Sequence, residues 1–405
     1  MVPDGWKVAK ISDIAEIISG QSPPGSEVLE IQIGLPFIQG NAEFGERSPS
    51  PKKWCAAPPK RARAGDVLLS VRAPVGEANV CESDLGIGRG VAAIRAKEVD
   101  PDLLFYILRS SQKALQAKSQ GSTFDAINRS DLGQMIVLVP PEKEQHAIVE
   151  RLSAIDAAIE KTKAVIDQTK RLKQGLLQEL LTRGIGHTKF KRTDIGEIPE
   201  GWNVKLLSDV AEVRTGLAKG KKQIVDPVEM PYLRVANVQD GYLDLSDIKL
   251  ITVSGRDVSR YLLQVNDVLM TEGGDFDKLG RGAVWQGEIE SCLHQNHVFA
   301  VRCKIDVLRP SYLSFASASP YGKRYFLSCA KQTTNLASIN SSQLKAFPVL
   351  LPPIGEQDRL ISLFSTVDGA IENSQVSLQK LARIKSRVST ELLSGNKRLG
   401  GELLD

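Results

Sequence analysis

The sequence predicts an α+β protein built from two tandem copies of one unit, in which a globular domain precedes a long helix. Three observations support this architecture: an internal repeat, two long heptad segments in one shared register, and short β-rich runs inside each globular part. The chain has 405 residues, enough for two or three domains. It is 42% hydrophobic and 25% charged, which excludes a largely disordered protein.

The repeat is visible from the first residues. Pro3–Val8 matches Pro199–Val204, at an offset of 196. Toward the end of each copy the offset reaches 212, because the second copy carries extra residues in its interior. The segments that match between the copies indicate a common scaffold. The segments between them that do not match indicate that this scaffold carries two different surfaces. Further matches are Ser12–Glu16 with Ser208–Glu212, Gly65–Ser70 with Asn266–Thr271, Val91–Arg95 with Val298–Arg302, Ile127-Asn128 with Ile339-Asn340, Pro140-Pro141 with Pro352-Pro353, and Glu144-Gln145 with Glu356-Gln357.

After each Pro-Pro pair the sequence becomes helical, over roughly Glu142–Thr182 and Gly355–Ser394. Apolar residues recur there at alternating steps of three and four, the a/d pattern of a coiled coil. The prolines mark the helix entries, and Gly184 and Gly395 mark the exits. The predicted seam residues are Ile148, Leu152, Ile155, Ile159, Ile166, Leu176 and Leu180 in the first helix and Leu360, Phe364, Val367, Ile371, Leu378, Leu381, Val388 and Leu392 in the second.

Polar residues interrupt both seams at matching positions, Thr162 with Ser374 and Lys173 with Lys385. Aligned polar breaks are devices that fix the register of a coiled coil. Each helix of about 40 residues is about 60 Å long. The second domain starts at the far end of the first helix, so the second helix must run back to pair with the first. The sequence therefore predicts an antiparallel coiled coil, with one globular domain at each end and a pseudo-two-fold axis between them.

These marks define the expected domain boundaries. The first globular domain covers 1–140, the first long helix 141–183, a linker 184–198, the second globular domain 199–352, the second long helix 353–395 and a C-terminal tail 396–405. Both globular domains are expected to mix strands and helices. Predicted strands are Val67–Val71, Val91–Ile94, Met135–Val139, Val268–Thr271, Val298–Val301 and Pro348–Leu351, and predicted helices are Pro101–Gln116 and Pro310–Ser328.

Charge and cysteine content narrow the function classes. The formal net charge of +4 permits nucleic-acid binding without indicating it. The five cysteines are scattered and none lies at CxxC spacing, which is typical of reduced thiols in a cytoplasmic protein. The N-terminus has no apolar segment, and the longest apolar runs are far shorter than a bilayer requires. Neither a secretory signal nor a membrane association is expected.

A local concentration of positive charge indicates a nucleic-acid contact in the first domain. Between Arg47 and Arg72 the only acidic residue is Asp66, and nearby prolines and glycines predict loops. Arginine and lysine contact both phosphates and guanine edges. A solvated basic face is the alternative interpretation. The cluster consists of Arg47, Lys52, Lys53, Lys60, Arg61, Arg63 and Arg72.

The second domain has candidates at positions that match the first. The loop after Thr271 is longer and more acidic than the loop with Arg72, and Glu272 or Asp275 would suit the amino group of cytosine. Arg89 and Asn296 lie at matching positions just before a strand, where DNA contact and a structural role both remain open. Ordinary surface loops are the alternative. The other cationic candidates are Lys219, Lys221, Lys222, Lys278 and Arg281.

Several motifs resemble those of the specificity subunit of type I restriction–modification systems, over nearly the whole chain. They are the two PxGW openings, GDVLLSVRAPVG, HQNHVFAVR, VPPEKEQHAIV and LPPIGEQDRLI before the helices, and LLQELLTRGIG followed by FKRTDIGEIPEGW. The resemblance implies two target-recognition domains for the two halves of a split double-stranded DNA target. It also implies that the helices act as a spacer ruler and dock two modification (methyltransferase) subunits, which restriction (motor nuclease) subunits then join.

No catalytic, cofactor or metal site is predicted. The chain has no GxxxxGK[ST] loop and no Asn/Asp-Pro-Pro-aromatic run like that of the methyltransferases. Gly86–Gly90 lacks the third glycine of a nucleotide loop and is interpreted as a turn between strands. His294 and His297 have no nearby third ligand and match Ile87 and Gly90 of the first copy, so metal binding is disfavoured.

The hypothesis from these observations is bipartite DNA recognition by a non-catalytic subunit, with two unlike domains that reach major grooves about one helical turn apart. The alternative is a structural coiled-coil adaptor whose globular ends bind proteins. A salt titration separates the two, since DNA binding weakens steeply as salt rises. A chain that is itself a methyltransferase is disfavoured by the missing motifs.

Overall fold

The computed structural model describes residues 2–119, 126–218, 224–274, 276, 279–332 and 337–399. The chain divides into two compact units. The first comprises Met1–Lys163 and Val376–Asp405, and the second comprises Ala164–Gln375. Each unit therefore holds one globular domain, part of the first long helix and part of the second.

The first domain mixes short strands and helices, as the sequence predicts. Its strands are β1 (Lys7–Lys10), β2 (Ala15–Ser19), β3 (Val28–Leu29), β4 (Leu35–Ile38), β5 (Lys53–Cys55), β6 (Arg61–Ala62), β7 (Val67–Ser70), β8 (Ala78–Val80), β9 (Leu85–Ile87), β10 (Val91–Ala96) and β11 (Ile136–Val139). Its helices are α1 (Ile11–Ile14), α2 (Pro101–Ser110), α3 (Gln112–Ser119) and α4 (Arg129–Gly133), followed by the long helix α5 (Glu142–Arg183).

Two sheets organise the first domain. An antiparallel sheet has the order β2-β10-β7-β8, and a five-stranded sheet has the order β3-β5-β4-β9-β6. Side chains alternate along β7: Val67 and Leu69 face the core that contains α2, whereas Leu68 packs with Ile38 and Ile87 of the five-stranded sheet. Both faces of the antiparallel sheet are thus buried, which explains the nearly continuous apolar run of β7.

The second domain repeats this plan with extra elements. Its strands are β12 (Phe190–Thr193), β13 (Gly196–Pro199), β14 (Asn203–Leu206), β15 (Ala211–Thr215), β16 (Pro227–Leu233), β17 (Lys249–Ser254), β18 (Asp267–Thr271), β19 (Gly273–Gly274), β20 (Gly282–Val284), β21 (Leu293–His294), β22 (Val298–Cys303), β23 (Lys331–Gln332), β24 (Ala337–Ser338) and β25 (Pro348–Leu351). Its helices are α6 (Leu207–Val210), α7 (Gly255–Tyr261), α8 (Pro310–Ala318), α9 (Pro320–Cys329) and α10 (Ser341–Lys345), followed by the long helix α11 (Ile354–Leu393).

The antiparallel sheet of the second domain, β15-β22-β18-β20, has the same order as that of the first. Val268 and Met270 face the helical core, and Leu269 faces a separate cluster around Trp285. The repeat in the sequence is therefore a repeat of structure. The second sheet differs: β17-β16-β21 has three strands, and the helix α7 has no counterpart of its length between β4 and β9.

Residues that match between the copies make matching buried contacts. Asp66 accepts two hydrogen bonds from the Arg95 guanidinium, at 2.9 and 2.8 Å, and Asp267 accepts two from Arg302 at the same distances. Asp66 and Asp267 are 2% and 1% exposed. A buried carboxylate requires such a partner, which explains why the repeat keeps both members of each pair.

The segment predicted as a linker, 184–198, differs in the structure. It contains β12 and most of β13, which together form a hairpin, and Ile198 packs with the buried Trp202 and Leu350. The sequence did not indicate this hairpin, because its strands are short and their apolar and polar residues do not alternate clearly. The predicted helices Pro101–Gln116 and Pro310–Ser328 are also each two helices, with breaks at Ser111 and Ser319.

Both long helices start and end within a residue or two of the predicted positions. Gly184 and Gly395 follow them with φ of +67° and +69°, the left-handed conformation that favours glycine after a helix. Seven of the predicted seam residues are buried, and the others are half-buried. The buried ones are Ile148, Leu152, Ile159, Ile166, Leu360, Phe364 and Leu392.

Within each unit the two long helices contact each other, and their directions are opposite. In the first unit Ile148 and Leu152 share a core with Leu392, and Lys385 pairs with Asp156. As residue numbers rise along α5, those of the contacting residues fall along α11.

In the second unit Leu177 and Leu181 share a core with Leu360 and Phe364. Lys173 pairs with Asp368, again with opposite helix directions. Near the end of α5 the buried residues are thus Leu177 and Leu181, while the predicted Leu176 and Leu180 are half-buried. The end of the helix packs on the core of the second domain, which shifts the buried stripe.

The two lysines that interrupt the seams are therefore paired with aspartates. Lys173 matches Lys385 in the repeat, and their partners Asp368 and Asp156 match each other. An ion pair between the helices is satisfied in one register only. This supports the interpretation that the polar breaks select the register.

A second pair of matching contacts ties each domain to a helix start. The indole N–H of Trp6 donates to Glu144 (2.9 Å), and that of Trp202 donates to Glu356 (3.0 Å). Both carboxylates are at least 95% buried. The PxGW and Pro-Pro-x-x-Glu motifs, distant in sequence, are thus two sides of one contact.

Each of these carboxylates also forms hydrogen bonds with the segment that follows the other long helix. Glu144 accepts from the Arg398 guanidinium (3.0 Å), and Glu356 is bonded to the His187 ring (2.8 Å) and the Ile185 N–H (3.0 Å). We refer to Trp6, Glu144 and Arg398 as the first joint and to Trp202, Glu356 and His187 as the second joint.

Candidate nucleic-acid interface

Loops of the first domain converge at one end of its antiparallel sheet. At this end of the sheet β2 and β7 finish and β10 begins, because β10 runs antiparallel to both of its neighbours. The Gly20 N–H donates to the carbonyl of Val91 (3.0 Å), and the Val71 N–H donates to that of Gly90 (2.9 Å). A Cβ on Gly20 would lie 2.1 Å from the Gly88 carbonyl oxygen, so only glycine permits this approach.

Loops of the five-stranded sheet lie at the same end of the antiparallel sheet. Its parallel strands β4 and β9 end together, and Gln39, just after β4, donates from its amide to the Ser22 hydroxyl (2.7 Å). Arg89, just after β9, lies with its Nε 3.4 Å from the same hydroxyl. Ser22, Gln39, Arg72 and Arg89 form what we call the first sheet-end surface, on which Arg72 and Arg89 are exposed.

The second domain has an equivalent second sheet-end surface, formed by Gln239, Glu272, Arg281, Asn296 and His297. The Glu272 N–H donates to the His297 carbonyl (3.0 Å), and the Thr271 N–H donates to that of Arg281 (3.2 Å). Arg281 donates from Nη1 to the side chain of Gln239 (2.9 Å). This surface holds both acidic and basic groups, whereas Arg72 and Arg89 make the first surface cationic.

The predicted basic cluster of the first domain does not form one patch. Arg63 lies at the opposite end of β7 from Arg72, where its N–H donates to Asp66 (2.8 Å). The four residues of β7 separate the two ends by about 13 Å. Arg63 and Arg72, close in sequence, therefore face different surroundings.

Lys53 and Arg61 lie in strands and not in the predicted loops. Lys53 is in β5 and Arg61 is in β6, at positions in one row across the five-stranded sheet. Two strands lie between them, so they are about 14 Å apart. Lys52 directly precedes β5, and all three side chains are exposed.

Arg47 has structural partners. Its guanidinium pairs with Asp102 at 2.5 Å and lies 5.1 Å from the centroid of the Phe105 ring. It lines a cleft of about 1230 Å³ in the first unit, between the globular domain and both long helices. These contacts favour a structural role for Arg47 over a DNA contact.

The remaining candidates Lys219, Lys221, Lys222 and Lys278, and the acidic Asp275, lie outside the described residues. The sequence did not indicate Ser22, Gln39 or Gln239. Their positions depend on which strands are neighbours, and a glutamine or serine in a loop carries no signal of its own.

His294, considered as a metal ligand, has a structural explanation. It is 1% exposed and its Nδ1 lies 2.6 Å from the Val298 carbonyl oxygen. Burial lowers the pKa of His294, so the ring is neutral and Nδ1 donates to that carbonyl. Among the described residues, no three potential ligands form a metal-binding group.

A sequence model of the family described as "Type I restriction modification DNA specificity domain" matches residues 3–171 and 199–383. The MjaIX specificity subunit of Methanocaldococcus jannaschii is 24% identical over 430 residues, covering 98% of this chain and 95% of that protein. The EcoKI specificity subunit of Escherichia coli K12 is 21% identical over 418 residues, covering 94% and 88%. An M. jannaschii chain named for the MjaX enzyme is 38% identical over 185 residues, and the aligned part spans 44% of that chain.

Solved structures share the fold. A chain from a structure of the type I restriction–modification system, described in terms of complex assembly and conformational transition, has a TM-score of 0.64 at 18% identity. It covers 98% of this chain and 100% of that one. The specificity subunit from Mycoplasma genitalium has a TM-score of 0.57 at 14% identity, with coverage of 97% and 96%.

The repeated fold, with two different polar surfaces on equivalent scaffolds, defines a two-domain protein for recognition of DNA targets. The two family matches follow the two copies of the repeat. The chain belongs to the family of type I restriction–modification DNA specificity domains and contains two such domains. Among the described residues, no helix is long and apolar enough to cross a membrane.

Proposed function

We propose that this chain selects the split DNA target of a type I restriction–modification complex, and that each domain reads one half through its sheet-end surface. One observation carries the proposal: the two surfaces have equivalent backbones and different side chains. A protein that reads two unlike half-sites needs this combination. Arg72 and Arg89 would contact phosphates or guanine edges in the first half.

We further propose that α5 and α11 pair along their lengths as an antiparallel coiled coil that sets the spacing between the half-sites. The opposite helix directions in each unit and the two matched lysine–aspartate pairs support this arrangement. A helix of 42 residues is about 63 Å long. This length suits a spacer between domains on separate turns of DNA.

The chemistry in such a complex would come from other subunits, namely two modification subunits and the restriction subunits. Two similar domains on a pseudo-symmetric scaffold offer two similar docking places. In this chain the thiols of Cys81, Cys292 and Cys303 are poor nucleophiles, because burial raises their pKa to about 12. The proposal would be wrong if the purified chain alone methylated DNA.

The first test compares arginines at the two ends of β7. With Arg72 and Arg89 both changed to alanine, DNA affinity should fall at least about tenfold, and the slope of log affinity against log salt should become shallower by about 1–2. Fluorescence anisotropy with the assembled complex and its target DNA measures both quantities.

Arg63→Ala is the matched control. Arg63 is an exposed arginine of the same domain at the other end of β7, so its loss should leave the affinity and the salt slope nearly unchanged. Equal losses for Arg63→Ala and for the double variant would contradict the assignment of the surface.

A further inference from the structure

The two sheet-end surfaces share one backbone contact with different side chains on it. The Glu272 N–H donates to the His297 carbonyl (3.0 Å), as the Val71 N–H donates to the Gly90 carbonyl (2.9 Å). Val71 and Gly90 of the first domain thus correspond to Glu272 and His297 of the second, at the same backbone contact. The change adds polar groups where the first domain has none.

Asn296, directly before His297, stands where the first domain has Arg89. The two side chains have different recognition chemistry: arginine pairs with guanine or phosphate, whereas asparagine pairs with adenine through two hydrogen bonds. An exchange of this kind on a shared frame is expected between domains that read different bases.

On the second surface the side chains of Glu272, His297 and Asn296 are linked one to the next by polar contacts. The Glu272 carboxylate contacts Nδ1 of His297, and the Asn296 amide nitrogen lies 3.3 Å from Nε2 of the same ring. An ionised carboxylate only accepts hydrogen bonds, so Nδ1 carries the proton. In the neutral ring Nε2 is then the acceptor, and the Asn296 amide donates to it.

These hydrogen bonds leave Asn296 with the donor and the acceptor that adenine requires. An asparagine amide has two N–H donors and one carbonyl acceptor, and His297 takes one of the donors. With respect to the described residues, one donor and the carbonyl remain. The major-groove edge of adenine presents one acceptor, N7, and one donor, the N6 amino group. The remaining groups therefore match adenine in number and kind.

We propose that Asn296 reads an adenine in the second half of the target, and that His297 and Glu272 are positioning residues that hold its amide in the reading orientation. The His297 side chain is 53% exposed, so the group lies at the surface. The contact with His297 also gives the Glu272 carboxylate a hydrogen-bond donor. This inference rests on the proposed function and names one base contact within it.

The test maps methylated sites in the host genome for strains that carry single variants of the chain. Asn296→Ala should relax one adenine position of the second half-site, with discrimination at that position reduced about 10- to 100-fold. His297→Ala should relax the same position less. His297→Gln, which keeps an acceptor, should restore much of the discrimination.

Asn203→Ala is the control for chemistry, because Asn203 is an exposed asparagine in β14 of the same domain. It should leave the methylated sites unchanged, and thermal melting should show that every variant is folded. The inference is overturned if Asn296→Ala leaves the second half-site intact, or if it weakens methylation at all sites equally, as loss of a phosphate contact would.

The Arg72 and Arg89 variant distinguishes this failure from failure of the proposed function. If that variant weakens DNA binding or alters the first half-site while the Asn296 variant changes nothing, only the adenine contact is wrong. If neither variant changes the DNA affinity or the methylated sites, the proposed function itself is wrong.

Discussion

Removing one heptad from both long helices is expected to shorten the spacer of the recognised DNA by about three base pairs. Seven helical residues span about 10 Å, and base pairs in duplex DNA rise by 3.4 Å. Suitable deletions are 160–166 and 375–381, which lie between the lysines and aspartates of the interhelical pairs in each helix. A whole heptad preserves the apolar seam. Methylation-site mapping in the host genome measures the new spacer.

Two companion variants make the result decisive. Inserting a heptad at both places should lengthen the spacer by a similar amount. Deleting seven residues from α5 alone should separate lysines and aspartates such as Lys173 and Asp368, and we expect loss of methylation and not a new spacer. An unchanged spacer in the double deletion would show that the helices do not set the distance.

The second large effect is expected at the joints between domain and helix. Glu356→Ala removes the acceptor for the Trp202 indole, the His187 ring and the Ile185 N–H, all close to a carboxylate that is 3% exposed. Leaving such donors buried without a partner should lower the free energy of unfolding of the second unit by about 3 kcal/mol. The melting temperature would fall by roughly 5–10 °C.

The same joints predict a dependence on pH. Burial opposes ionisation of Glu356, but hydrogen bonds from the Ile185 N–H, His187 and Trp202 outweigh it and lower its pKa. In Glu144 the bonds from Arg398 and Trp6 likewise outweigh burial and lower the pKa. A lowered pKa stabilises the folded protein above the unfolded-state value of about 4.3, and this contribution is lost as the pH falls through the folded-state pKa.

Wild type should therefore lose more stability than Glu356→Gln when the pH is lowered from 7 to about 3.5, and the gap between them should narrow. Chemical denaturation at several pH values measures this. Glu391→Ala is the control, because the Glu391 carboxylate forms a surface pair with Arg387, which is 81% exposed, and loss of such a pair should have little effect. A gap that is constant with pH would mean that the charge of Glu356 does not stabilise the joint.

Much of the scaffold was predictable because its signals are local. The a/d spacing indicated both long helices, and Gly184 and Gly395 marked their ends. The matching of Lys173 with Lys385 indicated a shared register, and the structure pairs each with an aspartate. The hairpin within 184–198 was missed, because its burial depends on Trp202, which follows the segment in sequence.

The candidate site was only partly predictable. The sequence predicts DNA contacts at Arg72 and Arg89, and both residues are exposed on the first sheet-end surface. The sequence grouped Arg72 with Arg63, but a strand that runs between them sends the two to opposite ends of a sheet. The contact of Arg89 with Ser22 joins residues 67 positions apart.

The sequence alone thus determined that the protein is a duplicated scaffold with two long, matching helices, because repetition and periodicity are properties of residue order. Tertiary structure decided which side chains share a surface, because strand order and register bring distant loops together and separate neighbours. The group of Glu272, His297 and Asn296 shows the difference. Each of these residues was noted in the sequence for a separate reason, and only the fold links them in one chain of contacts.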